Sequence, residues 1–184
     1  KQWLGQPPES MKEAIAQAYT GGRFELAQVG EVYGRGNGRE IYAYDLSSAY
    51  PYAQSQGMPC MAHGAWTHYR GRDVQARVEK ARYALVKARV FPGPQQAWGP
   101  FPWRDQDGDV TYPLTSPGTW VWRAEYMAAF EAPHCWKVKA KEAWIYEQRC
   151  DCKPFAEVPK AYALRVEIGK DGPGLAIKLG VNSS

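Results

Sequence analysis

Apolar and polar residues alternate along the chain with two periods, one typical of strands and the other of short helices. Strand-like alternation predicts β-strands over residues 24–32, 40–45, 82–91, 119–122 and 136–146. Helical spacing predicts helices over residues 11–19, 47–56, 124–131, 156–168 and from about 175 onward. Ser10 is the expected N-cap of the first helix, and Glu13 completes a capping box. The Gly-rich segment 169–174 separates the last two helices, which predicts a helical hairpin.

Two of the predicted strands carry the clearest pattern. The first spans residues 82–91. Its side chains Tyr83, Leu85 and, after a shift in the alternation, Val90 are expected to form a partly buried face, with Lys87 and Arg89 outside. The second spans residues 136–146, where basic and apolar side chains alternate, and this pattern predicts a strand with one face in water.

Asp45 ends the apolar run of residues 41–44 and is followed by two serines and a Tyr-Pro pair. Ser47 or Ser48 can cap the helix that follows, and Pro51 fits its first turn. A carboxylate and a backbone carbonyl at a strand end are hard oxygen ligands of the kind that Mg²⁺ prefers. The alternative is a buried strand with a capping Asp before a turn.

Two further segments carry groups suited to a nucleotide or to DNA. Lys178 and Asn182 are four positions apart, so on a helix they share one face, although ordinary surface helices carry such pairs too. Upstream, Gly21 and Gly22 allow the backbone to approach a ligand closely, and Arg23 adds a charge for a phosphate. The alternative for the second segment is a Gly-Gly turn after the first helix.

These segments resemble three motifs of family B DNA polymerases, in the same order along the chain. Residues 45–51, Asp-Leu-Ser-Ser-Ala-Tyr-Pro, resemble motif A, Asp-x-x-Ser-Leu-Tyr-Pro, with Ala49 in place of the usual Leu. Residues 178–184, Lys-Leu-Gly-Val-Asn-Ser-Ser, resemble the start of motif B, Lys-x-x-x-Asn-Ser. Residues 19–22, Tyr-Thr-Gly-Gly, resemble the Tyr-x-Gly-Gly motif of the protein-primed phage type.

The resemblance implies an α+β fold, namely part of a polymerase palm (an antiparallel sheet plus helices) with an inserted middle region and a helical-hairpin fingers segment. Residues 1–60 are the expected N-terminal part of the palm with motif A, and residues 61–134 an inserted β-rich region. A connecting strand and turn over 135–154 and the fingers helices over 155–184 follow. The family's third motif, Asp-Thr-Asp, does not occur, so a polymerase fragment that is inactive alone is expected.

The resemblance also implies a role for each motif residue. Asp45 and the carbonyl of Leu46 would hold two Mg²⁺ ions for phosphoryl transfer. Lys178, and Arg165 in the segment Tyr-Ala-Leu-Arg, would stabilise the charge of the triphosphate. Tyr50 would stack under the deoxyribose and exclude a 2′-hydroxyl. The other implied contacts are Ser48 and Asn182 for the nucleotide, and Tyr19, Gly21, Gly22 and Arg23 for DNA.

The implied partners are a DNA primer-template, dNTPs, the remainder of the polymerase with its third motif and, in the protein-primed type, a terminal protein. No run of about twenty apolar residues predicts a membrane span, and a cytoplasmic location is expected. A non-catalytic nucleic-acid-binding domain is the main alternative, since 14% aromatic residues and a net charge of +4 suit single strands. A nuclease built on Asp45, Glu125 or Glu142 is less favoured, because no compact acid-x-Lys pair ends a strand.

Four cysteines raise the separate question of a metal site. Cys150 and Cys152 could join His134 and Cys135 in a four-ligand set, although zinc sites usually pair their ligands at wider spacing. The alternative is that all four, Cys60 included, are ordinary thiols of a cytosolic protein.

Overall fold

The chain folds into two compact units. The structure, a computed structural model, describes residues 6–21, 42–44, 49–91, 98–131, 136–169 and 171–182, with Asn182 described by its backbone alone. Unit 1 comprises Lys1–Gly21 and Pro59–Asp151. Unit 2 comprises Gly22–Met58 and Cys152–Ser184. No helix within the described ranges is long and apolar enough to cross a membrane.

Unit 1 is built around a four-stranded antiparallel sheet. The strands, in their order across the sheet, are β1 (Gly64–Arg70), β6 (Val138–Gln148), β2 (Tyr83–Val90) and β5 (Ser116–Trp122). A separate hairpin pairs β3 (Trp103–Arg104) with β4 (Val110–Thr111). The described helices of unit 1 are α1 (Lys12–Ala18), which follows a 3₁₀ turn at Glu9–Met11, then α3 (Val74–Lys80) and α4 (Arg123–Ala128).

Both faces of the sheet are covered. On one face, Val86 of β2 pairs with Val121 of β5 and Ala143 of β6 and packs in the main core, to which α3 and α4 contribute Val78 and Tyr126. On the other face, the β2, β5 and β6 side chains Leu85, Trp120 and Trp144 pack against Met11 of the 3₁₀ turn and against Ala14 and Ala18 of α1. The α+β class with an antiparallel sheet is therefore confirmed.

The strand predicted over 82–91 is confirmed as β2, but its predicted buried face is wrong. Tyr83 is only half-buried, while Leu85 and Val90 lie in two different cores on opposite faces of the sheet. The main core instead takes Ala84 and Val86, which the prediction left out. Because β2 lies between β5 and β6 with helices on both faces, five of its eight residues are buried and the alternation that marks a half-exposed strand is lost.

The first helix is confirmed, but its predicted capping box is wrong. Ser10 lies inside the 3₁₀ turn, and the residue that caps α1 is Met11, without a side-chain hydrogen bond. The amide of Met11 instead donates to the carbonyl of Pro8 at 2.9 Å. Met11 is fully buried, so the apolar contacts of this residue, rather than a polar cap, position the start of the helix.

The other predicted elements vary in outcome. The strand over 119–122 and the strand over 136–146 correspond to β5 and β6, and the helix over 124–131 corresponds to α4. Residues 24–32 lie outside the described part of the chain. Tyr42–Tyr44 carry no strand, contrary to the prediction over 40–45, and all three residues are exposed. The strand β1 and the helix α3 were not predicted.

Glu142 is a charged group of β6 that is held by side chains of both neighbouring strands. Its two carboxylate oxygens accept from Lys87 Nζ on β2 and Arg70 Nε on β1, each at 2.9 Å. His68 Nε2 lies 3.2 Å from the same carboxylate without the alignment of a hydrogen bond. Burial raises the pKa of the Glu142 carboxyl, but the hydrogen bonds and charges of Lys87 and Arg70 together hold it below its ordinary value.

Unit 2 contains three described helices, α2 (Ala49–Ser55), α5 (Val158–Ile168) and α6 (Pro173–Asn182). The predicted helical hairpin is confirmed as α5 and α6, and α2 packs against both. Gly169 ends α5 with φ of 94°, a value that favours glycine. Gly174 allows a close approach in the turn, since an added Cβ would lie 1.8 Å from the Gly169 carbonyl oxygen.

We expect Glu142→Gln to lower the free energy of unfolding at neutral pH by about 1 kcal/mol, because it removes the charged partner of Lys87 and Arg70. A carboxylate with a lowered folded-state pKa stabilises the protein above its unfolded-state pKa, and this contribution is lost as the pH falls through the folded-state pKa. The deficit of the variant should therefore shrink at acidic pH. Urea unfolding at both pH values measures it, with Glu147→Gln, an exposed residue of the same strand, as control. An equal deficit at both pH values would contradict the expectation.

Gly174→Ala and Gly180→Ala should change the stability of the hairpin in opposite directions. The Cβ at 174 meets backbone, so the turn must shift, at a cost of about 1–3 kcal/mol. The Cβ at 180 meets nothing within 4 Å, and alanine in a helix is favoured over glycine by about 0.5–1 kcal/mol. Thermal unfolding followed by far-ultraviolet circular dichroism compares the two. A stabilising effect of Gly174→Ala would disprove the close approach.

Candidate functional site

The helix α2 starts directly after the segment that contains Asp45. Pro51 is the third residue of α2 and is buried, which confirms its predicted place in the first turn. Tyr50, immediately before it, is 80% exposed, so its ring lies on the open side of the helix. Asp45, Leu46 and Ser48 lie outside the described residues. The structure therefore describes the helix that follows the expected metal ligand, but not the ligand itself.

Arg165 lies in the last turn of α5 with its guanidinium 6.0 Å from the centre of the Tyr162 ring. Its Nε is buried and has no hydrogen-bond partner within the described ranges. Burying a donor without a partner carries a free-energy cost, so such a group usually serves a ligand, a water molecule or a strained contact. A guanidinium group with such a donor can form a charge-assisted hydrogen bond to an anionic oxygen of a ligand.

Lys178 lies on α6 and is exposed. Asn182 is the last residue of the same helix, so the two positions share one face as predicted. Since α2 packs against both α5 and α6, the structure brings together the three helices that carry Tyr50, Arg165 and Lys178. All three belong to unit 2.

The motif residues of unit 1 form a turn after α1. Tyr19 caps the C-terminus of α1, is 78% exposed, and accepts a hydrogen bond at its carbonyl from Arg104 Nη2 at 3.2 Å. Gly21 has φ of 75°, so this position needs a glycine for the turn itself. Gly22 and Arg23 lie outside the described residues. A backbone requirement thus explains Gly21 without a ligand.

The two acids considered for a nuclease have structural partners. Glu125 accepts a hydrogen bond from the amide of Trp122 at 2.9 Å and so caps the N-terminus of α4. Burial raises the pKa of Glu125, partly offset by this backbone hydrogen bond. Glu142 binds Lys87 and Arg70 within the sheet. Each carboxylate therefore has a structural role within unit 1.

The structure brings two of the four predicted metal ligands into one group with other side chains. Cys150 and Cys152 lie together with Cys60 and His63. His134 and Cys135, the other two predicted members, lie outside the described residues. The sequence signal for this grouping is the Cys-x-x-His spacing of residues 60–63, which were not among the predicted metal ligands. Thiols and imidazole are poor ligands for Mg²⁺, so the group does not replace the hard oxygen donors expected at Asp45 and Leu46.

The comparisons with known proteins address the origin of the chain as a whole. No curated protein and no solved structure matches it. The model of one protein family, DNA polymerase type B, organellar and viral, matches residues 1–172. The match includes unit 1 and most of unit 2 but ends before α6, so the segment that resembles motif B, residues 178–184, lies outside it. The chain therefore belongs to the organellar and viral family of type B DNA polymerases.

Proposed function

We propose that this chain supplies the part of a DNA polymerase that binds the incoming dNTP. The observation that carries the proposal is the packing of α2, which follows the Asp45 segment, against both helices of the α5–α6 hairpin. In functional terms we assign the palm with motif A to residues 1–60, the inserted region to 61–134, the connection to 135–154 and the fingers to 155–184.

Asp45 and the carbonyl of Leu46 would hold Mg²⁺. Their donor set fits this ion, because a carboxylate and a carbonyl are hard oxygen ligands that leave room for substrate phosphates. When bound, a pair of Mg²⁺ ions neutralises charge on the attacking and leaving oxygens of the phosphoryl transfer. The protein positions the two metal ligands, and the part of this arrangement that the structure describes is α2, which follows them directly.

Arg165 and Lys178 would bind the triphosphate. The support is that Arg165 Nε is buried with no partner among the described residues, and that Lys178 is exposed on the neighbouring helix of the hairpin. Charge-assisted hydrogen bonds from such groups to phosphate oxygens are about twice as strong as neutral ones. The two side chains would hold the triphosphate while charge develops on it.

The remaining motif residues would set the sugar and base contacts. Tyr50 would lie under the deoxyribose and exclude a 2′-hydroxyl, Ser48 would contact the nucleotide, and Asn182 would line the new base pair. Tyr19 and the segment 21–23 would contact the primer-template. Exposure of 80% at Tyr50 supports its role, since a core aromatic side chain would be buried.

The 184 residues alone would not extend a primer. Two metal ions need a second carboxylate, and the Asp-Thr-Asp motif that provides it in this family does not occur here. The remaining partners would be a primer-template, a chain segment with the third motif and, if the enzyme is protein-primed, a terminal protein. The proposed location of this activity is the cytoplasm, which for a phage-encoded polymerase is that of the host cell.

We expect the chain to bind dNTP in the presence of Mg²⁺, and Arg165→Ala and Lys178→Ala each to weaken binding about tenfold. Each variant loses one charge-assisted hydrogen bond, which contributes about 1.5 kcal/mol. A loss of about 1.4 kcal/mol in binding free energy raises Kd tenfold. Calorimetric titration with a non-hydrolysable dNTP measures the effect. Lys160→Ala, on the same hairpin but ion-paired with Glu157 at 3.0 Å, is the matched control.

An equal loss of dNTP affinity in Lys160→Ala would show that the effect comes from the general positive charge of the hairpin and not from specific contacts of Arg165 and Lys178. Binding of single-stranded DNA with no binding of dNTP would favour the non-catalytic nucleic-acid-binding domain instead, because stacking on aromatic side chains needs no triphosphate contact.

In an active polymerase that contains this region, Tyr50→Val should raise the incorporation of ribonucleotides relative to deoxyribonucleotides on the order of a hundredfold. The phenol ring excludes a hydroxyl by steric clash, and each 1.4 kcal/mol or so of clash that is removed changes the ratio about tenfold. The measurement is the ratio of kcat/KM for dNTP and rNTP.

The matched control is Tyr52→Val, which changes an exposed tyrosine two positions further along the same helix. Equal changes in both variants, or an unchanged ratio in Tyr50→Val with activity retained, would assign Tyr50 a structural role only.

A further inference from the structure

Four side chains of the soft metal-ligating type lie together at one end of the sheet. The sulfur atoms of Cys60, Cys150 and Cys152 and a ring nitrogen of His63 all lie within 4.8 Å of one another. Cys60 Sγ and His63 Nδ1 are 3.4 Å apart. The three cysteines are present as thiols. We propose that these four residues bind one Zn²⁺ in a structural site.

The antiparallel pairing of β1 and β6 brings the two halves of the cluster together. Gly64, the first residue of β1, pairs with Gln148, the last residue of β6. Cys60 and His63 come just before β1, and Cys150 comes just after β6, so both ligand segments leave the sheet at the same end. The amide of Arg149 extends the pairing by one more hydrogen bond, to the carbonyl of His63 at 2.7 Å.

Cys152 needs separate consideration because it is the first residue of its segment of unit 2. It follows Cys150 by two residues, so the local chain alone can deliver its thiol to the cluster. Three ligands, Cys60, His63 and Cys150, belong wholly to unit 1. The site therefore requires only the turn that follows β6.

The side chain of Gln148 connects the backbone of the two ligand segments. Its Oε1 accepts a hydrogen bond from the amide of Cys60 at 3.0 Å, and its Nε2 donates to the carbonyl of Cys150 at 2.6 Å. The hydroxyl of Tyr146 donates to the carbonyl of Cys60. These contacts hold the backbone of the two ligand segments in place, and loss of the contacts around metal ligands typically lowers metal affinity about 10–100-fold.

Gly64 is needed for this arrangement. An added Cβ at residue 64 would lie 2.4 Å from Cζ and from the hydroxyl oxygen of Tyr146 and 2.5 Å from the carbonyl oxygen of Glu147. Only a residue without a side chain lets the Tyr146 ring cross this position and reach Cys60. Gly64 therefore contributes to the position of Cys60, because it allows the contact between Tyr146 and the Cys60 carbonyl.

The donor set selects the metal. Three thiols and one imidazole make a Cys₃His set, which is a common closed ligand set of structural zinc sites. With Zn–S near 2.3 Å and Zn–N near 2.0–2.1 Å, tetrahedral ligand atoms lie about 3.5–3.8 Å apart. The distance of 3.4 Å between Cys60 Sγ and His63 Nδ1 is close to this spacing. The largest distance between ligand atoms is at most 4.8 Å, so these atoms would need to move closer by about 1 Å at most to bind one ion. Binding would release the thiol protons as the sulfurs become thiolates.

The first experiment measures metal in the 184-residue chain purified with a thiol reductant. We expect one Zn²⁺ per chain by atomic spectrometry. Replacement by Co²⁺ should give the d–d absorption of tetrahedral cobalt and the charge-transfer absorption of cobalt–thiolate bonds. A chain without bound zinc that also shows no such absorption on titration with Co²⁺ would overturn the proposal. So would a disulfide between two of the three cysteines that persists under reducing conditions.

Single substitutions identify the ligands. Cys60→Ser, Cys150→Ser, Cys152→Ser and His63→Gln should each lose zinc during dialysis against a chelator. At saturating Co²⁺, the three serine variants should lose part of the charge-transfer absorption, while His63→Gln should keep it because it retains every thiolate. Cys135→Ser makes the same chemical change at the fourth cysteine of the sequence and should retain zinc. Zinc loss in Cys135→Ser, with retention in Cys60→Ser, would overturn the proposed ligand set.

Gln148→Leu tests the positioning contact. We expect its zinc affinity to fall by about 10–100-fold with an unchanged cobalt spectrum, because the ligand set remains complete. Gln17→Leu, an exposed glutamine on α1, is the control. Circular dichroism of each variant separates loss of metal from loss of fold. A changed cobalt spectrum in a folded Gln148→Leu would contradict its positioning role.

Discussion

The pairing of β6 with both of its neighbours is the constraint on which unit 1 depends. At eleven residues β6 is the longest strand of the sheet, and its register with β1 and β2 fixes where side chains meet. The same register places Glu142 between Arg70 and Lys87, Trp144 beside Leu85, and Gln148 beside Gly64. One ladder of backbone hydrogen bonds therefore positions an ion-pair group, part of a core and the ends of two segments that carry cysteine.

Much of this fold could be predicted from local pattern, and the failures have physical causes. The α5–α6 hairpin was predictable because glycines interrupt the helical spacing at 169–174. The buried face of β2 was not, because a strand covered on both faces has no alternation to detect. The strand β1 was missed for a related reason, since half-buried and exposed residues do not alternate regularly along it. The capping box at Ser10 failed because burial of Met11 determines where the helix starts.

The residues of the candidate sites differ in how far they can be predicted from the sequence. Motif residues such as Tyr50 were predicted because short segments resemble those of a known family, and the family match over residues 1–172 agrees with that origin of the chain. Lys178 lies beyond the matched residues, so its role stays a prediction. The grouping of Cys60 with Cys150 could not be found in this way. It joins residues that are far apart in sequence and depends on the register of two strands, one of which was not predicted. The local Cys-x-x-His spacing was visible, but its partner pair was not.

The pairing of Gly64 with Gln148 has a consequence for errors in folding. Side chains in a strand alternate between faces, so a slip of one residue between β1 and β6 would displace the two strands by about 3.3 Å and invert every side chain of the slipped strand. Such a slip would replace the backbone hydrogen bonds between β1 and β6 by a similar number with new partners, but it would separate Cys60 from Cys150 and place Gly64 away from the Tyr146 ring. A tetrahedral ion tolerates no such displacement. Zinc binding to the cluster would thus favour the native register of β1 and β6 over a register shifted by one residue. Backbone hydrogen bonds alone differ little between these two registers.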